Sequence, residues 1–125
     1  MGLLDGLLGN AAEISPKDAL EKFGPILGHE EVVEKAYKLV RDHIIFTDKR
    51  LILINKQGIT GAKVEYQSIP YRSISRFAVE TAGHFDLDAE LKIWVTGRPE
   101  PIEQQFTRHV NIYDVQSLLA YYVAR

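Results

Sequence analysis

Three carboxylates at alternate positions, Asp86, Asp88 and Glu90, with His84 just ahead of them, come nearest to a chemical constellation in this chain. Alternate oxygens on one strand face can reach a hard cation, and these spacings echo the start of a calcium loop. The continuation departs from one. Leu91 stands where the loop turns on a glycine, and no bidentate acid occupies the twelfth place, Arg98 standing near it instead. We therefore expect no metal here, and read the ladder as a solvated or partner-facing charged face. His29, His43, His84 and His109 are scattered without a His-Glu-x-x-His pair. No serine lies in a Gly-x-Ser-x-Gly elbow, and Gly58 and Gly61 are not followed by the Gly-Lys-Ser or Gly-Lys-Thr of a phosphate loop. The chain has no cysteine, hence no thiol nucleophile, disulfide or thiolate zinc site. No catalytic residue, no cofactor and no enzymatic activity are expected.

Charge carries more information than these motifs. The formal net charge is -2, but Met1 to Glu34 sums to -5, Lys35 to Arg76 to +6 and Phe77 to Arg125 to -3. A basic middle between acidic ends can steer one copy onto another, or the chain onto an anionic surface. The cations available for an anionic lipid or ligand are Lys35, Lys38, Lys49, Arg50, Lys56 and Lys63. Mild overall acidity and the lack of a recognition helix argue against nucleic acid.

These residues need a scaffold, and 125 residues with 46% apolar content suffice for one domain. No apolar run approaches the roughly 18 residues of a membrane span, and the first residues lack a secretory signal's basic region. The expected location is cytoplasmic, with peripheral contact to a membrane left open. Residues 1–14 read as an apolar, glycine-rich tail and 15–125 as the domain with an N-terminal helix. That helix starts with Ser15 as N-cap, Pro16 at the first position and Asp18 near the positive end, and stops near Gly24-Pro25. Ala19, Leu20 and Phe23 form its apolar side.

Val33, Tyr37 and Leu39 alternate with polar positions, although Lys35 interrupts them. Ile44 to Thr47 and Leu51 to Ile54 form a hairpin across Asp48-Lys49-Arg50. Gln57 to Gly61 is a turn into a strand at Lys63, Pro70 marks an edge or break, and Ser73 to Val79 resumes the alternation. Gly83-His84 is a connection. Leu87, Ala89, Leu91, Ile93 and Val95 then share one side of a strand, against Asp86, Asp88, Glu90, Lys92 and Trp94 on the other. After a turn at Gly97-Arg98-Pro99, Ile102 to Arg108 is the last strand, with Ile102 and Phe106 inward. A helix follows, N-capped by Asn111 and apolar at Ile112, Val115, Leu118, Leu119 and Tyr122. About seven strands and an apolar-faced helix imply a bent sheet or open barrel plugged by that helix.

The alternation places Trp94 outside the core, where an indole serves as an interface anchor; a local shift of register would turn it inward. Tyr66, Tyr71 and Phe77 are candidates to join that surface.

Three stretches carry a resemblance: Phe46-Thr47-Asp48-Lys49-Arg50-Leu51-Ile52, Ser68-Ile69-Pro70-Tyr71-Arg72-Ser73-Ile74, and the run from Val79 to Trp94. Together they resemble the bacterial pleckstrin-homology (PH) domain family, a domain of unknown function. The resemblance implies a mainly β fold with flanking helices: a PH-like barrel of two near-orthogonal antiparallel sheets capped by a C-terminal helix. It also implies a homo-oligomeric ring, with a pentamer the expected arrangement, and no assigned enzymatic activity. Eukaryotic lipid-binding PH domains hold inositol phosphates in a long basic loop between their first strands; Val40-Arg41-Asp42-His43 leaves little loop here. The favoured function is thus a non-enzymatic assembly module, with Arg72, Arg76, Asp86, Asp88, Glu90 and Trp94 at the subunit interface and a protein or peptide as a further partner. The alternative is a peripheral binder of an anionic membrane surface or ligand through the six basic residues above.

Overall fold

The computed structural model describes residues 13–39, 42–57, 62–81 and 88–124. The tail over residues 1–12, the turn at Gly58 to Gly61, the Gly83-His84 connection and Asp86 lie outside the described residues. The chain divides into two compact units, Met1–Ile69 and Pro70–Arg125.

The first unit is a five-stranded antiparallel sheet with a short helix on one face. Its strands are β1 (Glu13–Ile14), β2 (Val33–Lys38), β3 (His43–Thr47), β4 (Arg50–Gln57) and β5 (Lys63–Pro70), hydrogen-bonded in that order. Helix α1 (Pro16–Phe23) begins as its sequence dictates: Ser15 Oγ accepts from the Asp18 amide at 3.1 Å, and Pro16 fills a first-turn position that needs no donor. The helix passes at Gly24 into a single 3-10 turn, Gly24–Ile26, around Pro25. Ala19 and Phe23, four residues apart, dock on Val33, Ala36, Ile45, Ile52 and Ile54. Leu20 was expected on that side but is 55% exposed, because an eight-residue helix offers only one narrow stripe to a sheet. On the opposite face of the sheet Tyr37, Ile44, Phe46, Leu51 and Leu53 are buried.

Two local departures have clear causes. Glu13–Ile14 pairs with Tyr37 and Ala36, so the end of the expected tail is a strand, too short to show periodicity. The interruption at Lys35 is a β-bulge: Val33 lies opposite Thr47 but Lys35 opposite Phe46, leaving Glu34 as the extra residue.

The second unit begins at the end of β5. A 3-10 turn, Tyr71–Ser73, leads into β6 (Ile74–Thr81), β7 (Ala89–Val95) and β8 (Ile102–Phe106), an antiparallel sheet in that order. Gly97, at φ 88°, makes the β7–β8 turn in a region that favours glycine. Helix α2 (Ile112–Val123) is capped by Asn111 Oδ1, which accepts from the Tyr113 amide at 3.0 Å. It packs along β6 and buries Ile112, Val115 and Leu119. Tyr122 stacks on Tyr71 with ring centroids 4.5 Å apart. Tyr71 is therefore core, and Phe77, opposite Ile93, is on the face away from Trp94, so neither joins an outer aromatic surface.

Truncating Phe23 to alanine should destabilise the protein by about 3 kcal/mol, whereas Leu20→Ala should cost less than about 0.5 kcal/mol. Urea unfolding of the two variants measures the difference directly; equal costs would contradict the assigned helix orientation.

Candidate functional site

The six basic residues read as an anion-binding set do not form one patch. Arg50 is committed internally. Its Nε donates to Glu31 Oε2 and its Nη2 to Glu31 Oε1, both at 2.9 Å; Nη2 also reaches the Ile26 carbonyl at 2.7 Å and Nη1 the Ser68 hydroxyl at 2.6 Å. Thr47 Oγ1 donates to Glu31 Oε2 at 2.6 Å and accepts from the amides of Lys49 and Arg50. The adjoining Asp48 accepts from the Val32 amide at 2.8 Å. The Glu31 side chain is 3% exposed, and the Arg50 hydrogen bonds, against the opposing effect of burial, hold its carboxyl down at about 2. Arg50 thus braces the β3–β4 turn, with the threonine and acid that make it possible lying at positions 47 and 31. The Arg50–Glu31 pairing spans 19 residues, and no local pattern announces it.

Lys35 is also paired, with Glu13 at 3.1 Å. Lys49 is exposed on the β3–β4 turn, while Lys38 and Lys56 lie toward the other end of β3, near His43. Lys63, at the start of β5, is exposed. His43 itself is 2% exposed, edge-on to Phe23 at 5.0 Å, and among the described residues neither ring nitrogen has a hydrogen-bond partner. Burial pushes its pKa down to about 4, helped by Lys22, Lys56 and Lys38 and opposed by Asp42.

The second unit places three of the six expected interface residues, Arg76, Glu90 and Trp94, on one sheet face. Arg76 lies opposite Trp94, and the face continues through Ala78, Lys92 and Glu103 to Glu80, Glu90 and Gln105. A bulge between Ile74 and Arg76 sets Arg76 over the indole, its guanidinium carbon 4.2 Å from the ring centroid. Trp94 is half-buried on the side opposite Leu91 and Ile93, as the alternation requires. Arg72 is exposed in the turn before β6.

The acidic end is a hollow of about 400 Å³ lined by Glu80, Thr81, Asp88, Ala89, Glu90 and Gln105. Lys92 Nζ binds Glu80 at 2.9 Å, which raises the lysine's pKa, and Gln105 donates to Asp88 at 3.0 Å. Asp88 precedes β7, so the ladder is not one continuous strand face. Among the described residues no three His, Cys, Asp or Glu side chains are grouped to hold a metal ion. No described helix is long and apolar enough to cross a membrane.

Comparison with known proteins agrees with this architecture. Residues 2–123 match the family described as "Bacterial PH domain". The sequence is 60% identical over 121 residues to the uncharacterized protein YjqA of Bacillus subtilis (strain 168), covering 96% of this chain and 97% of the relative. A DUF1696 family protein with a pleckstrin-homology domain from Shewanella loihica PV-4 has a similar crystal structure, with TM-score 0.81 and 45% identity over 92% of this chain and 98% of that one. A pleckstrin homology domain from Shewanella amazonensis SB2B matches with TM-score 0.78 and 50% identity over 98% of both chains. The mainly β, PH-like fold with a C-terminal helix is thereby shown.

Two pH windows follow from the first unit. His43 in the folded protein sits at about 4, below its ordinary 6.5, so the unfolded chain takes up the proton first. Stability is full above 6.5 and falls by about 3 kcal/mol as the pH drops to 4. Glu31, held at about 2 instead of 4.5, contributes stability above 4.5 that is lost as the pH falls toward 2. Urea midpoints measured against pH should show both declines, and His43→Leu should flatten only the upper one. A midpoint constant from pH 6.5 to 4.5 in the unaltered protein would contradict the burial of a neutral imidazole.

Proposed function

This chain belongs to the bacterial PH domain family, and from that premise we propose that it is a non-enzymatic assembly module whose copies join head to tail. The observation that carries the reading is the segregation of one exposed sheet face into an Arg76–Trp94 end and an acidic end at Glu80, Asp88 and Glu90. Trp94 lies four positions beyond Glu90 on β7, about 13 Å along the strand. A cation resting on an indole offers both a charge and a large apolar surface, the combination that dominates interface energetics. Opposite the Arg76–Trp94 end of one copy, the acidic hollow of the next supplies the complementary charge. Because the two ends differ, the contact is heterologous and repeats until a ring closes. Five copies is the number implied by the family resemblance. Arg72 extends the basic end.

Support for a non-catalytic role comes from the same side chains. Of the acids of the hollow, Glu80 is held by Lys92 and Asp88 by Gln105, and among the described residues no carboxylate bonds the buried His43 to orient it as an acid or base.

At micromolar concentration in moderate salt the protein should run as an oligomer by size exclusion with light scattering. Trp94→Ala combined with Arg76→Ala, or Glu80→Lys combined with Glu90→Lys, should each weaken association by at least about 30-fold and give a folded monomer. An unaltered protein that is monomeric under these conditions would refute the proposal.

A further inference from the structure

The two edges of the first unit's sheet are finished differently. On one side it ends in β1, two residues long, and so short an edge offers little for another strand to pair with. On the other it ends in β5, eight residues long, with no described strand beyond it and proline only at its last position. Lys63, Val64, Glu65 and Tyr66 are exposed in succession, so both faces of this half of β5 are open. Val64 and Tyr66, 39% and 52% exposed, share the face that carries α1, as does Ser68 two positions on, where it meets Arg50. The apolar cluster under α1 draws on β2, β3 and β4 and on no residue of β5, which leaves these two side chains uncovered. On the opposite face Lys63 and Glu65 stand two positions apart with opposite charges, and Glu65 Oε1 accepts from the Asn55 side chain at 3.1 Å. A strand edge that carries uncovered apolar side chains is a template for another strand.

We propose that β5 pairs antiparallel with β5 of a second copy, about a two-fold axis at Val64. An antiparallel partner suited to Lys63-Val64-Glu65-Tyr66, read along its own direction, places apolar, basic, apolar and acidic residues in that order. Ala62-Lys63-Val64-Glu65 is such a sequence, so the chain supplies its own complement. In this register Val64 faces Val64 of the other copy, Lys63 of each lies opposite Glu65 of the other, and Tyr66 reaches diagonally toward the facing valine. The bond from Asn55 takes up only part of the Glu65 carboxylate's acceptor capacity and leaves room for the lysine. The next symmetric register, centred on Glu65, sets two carboxylates against each other and loses both ion pairs. Four exposed residues from each copy bury less than an interface of standard size, so the pairing alone is weak, with a dissociation constant on the order of 0.1 mM. At micromolar concentration it leaves variants of the assembly face monomeric. The contact is isologous and uses residues of the first unit only, so it stands or falls separately from the head-to-tail contact.

The test is sedimentation equilibrium of the full-length protein carrying Arg76→Ala and Trp94→Ala, which removes the head-to-tail contact, from micromolar to millimolar concentration. A reversible equilibrium of monomer and dimer is expected. Lys63→Glu and Glu65→Lys, added singly, each set like charges opposite one another on both sides of the axis and should weaken the dimer at least about tenfold. Added together they exchange the two members of each pair and should restore it. An equimolar mixture of the two single reversals should form a mixed dimer, since one strand then carries both acids and the other both lysines. Both positions are exposed, so circular dichroism should report an unchanged fold throughout. A protein that stays monomeric at millimolar concentration overturns the proposal and leaves the edge to a segment of another protein. A dimer that the single reversals do not weaken, or that the double reversal does not restore, overturns it equally.

Discussion

The buried pairing of Glu31 with Arg50 is the constraint on which the first unit depends. One carboxylate receives the guanidinium through two hydrogen bonds, the Thr47 hydroxyl and the Gly28 amide, while the guanidinium also reaches Ile26 and Ser68. A single ion pair thereby ties the segment after α1, the β3–β4 turn and β5. Such a pair is not required for stability in principle, since apolar groups of similar shape can replace it. Removing one partner alone, however, leaves a buried charge uncompensated at a cost of about 3 to 5 kcal/mol. Thr47 cannot be exchanged lightly either, because its oxygen both closes the turn through the Lys49 and Arg50 amides and orients Glu31.

That brace has a functional consequence. It withdraws Arg50 from the surface, and the Lys35–Glu13 pair partly neutralises a second cation, so the basic excess of the middle third is narrower than its count. Of the six candidate cations, those that remain are Lys49 on one turn, Lys38 and Lys56 toward the opposite end of β3, and Lys63 at the start of β5. In the second unit charge is instead laid out along one sheet face, with a bulge aiming Arg76 onto Trp94. Each unit thus presents its own surface chemistry from an otherwise ordinary antiparallel sheet.

Much of this was legible in the chain. Ser15-Pro16 and Asn111 announced both helices because capping is local, and the strict alternation around Leu91 and Ile93 placed Trp94 on the outer side because strand geometry has a period of two. Positions that escaped the reading depend on distant partners. Leu20 looks as apolar as Phe23, and only the docking of α1 decides which is covered. Arg50 looks like a turn cation until Glu31 is brought to it. Stacking of Arg76 on Trp94 required the bulge at Ser75, which no residue type signals. The pairing of Glu13–Ile14 with β2 was hidden by its brevity.

The head-to-tail contact is the central claim, and complementation tests it most directly. A variant lacking Arg76 and Trp94 keeps the acidic end, and one with Glu80 and Glu90 reversed to lysine keeps the aromatic end. Sedimentation velocity of an equimolar mixture should show a dimer built from one of each, because only one intact contact can form between them. Two variants that stay monomeric when mixed, at concentrations where the unaltered protein assembles, would contradict a heterologous contact between these ends.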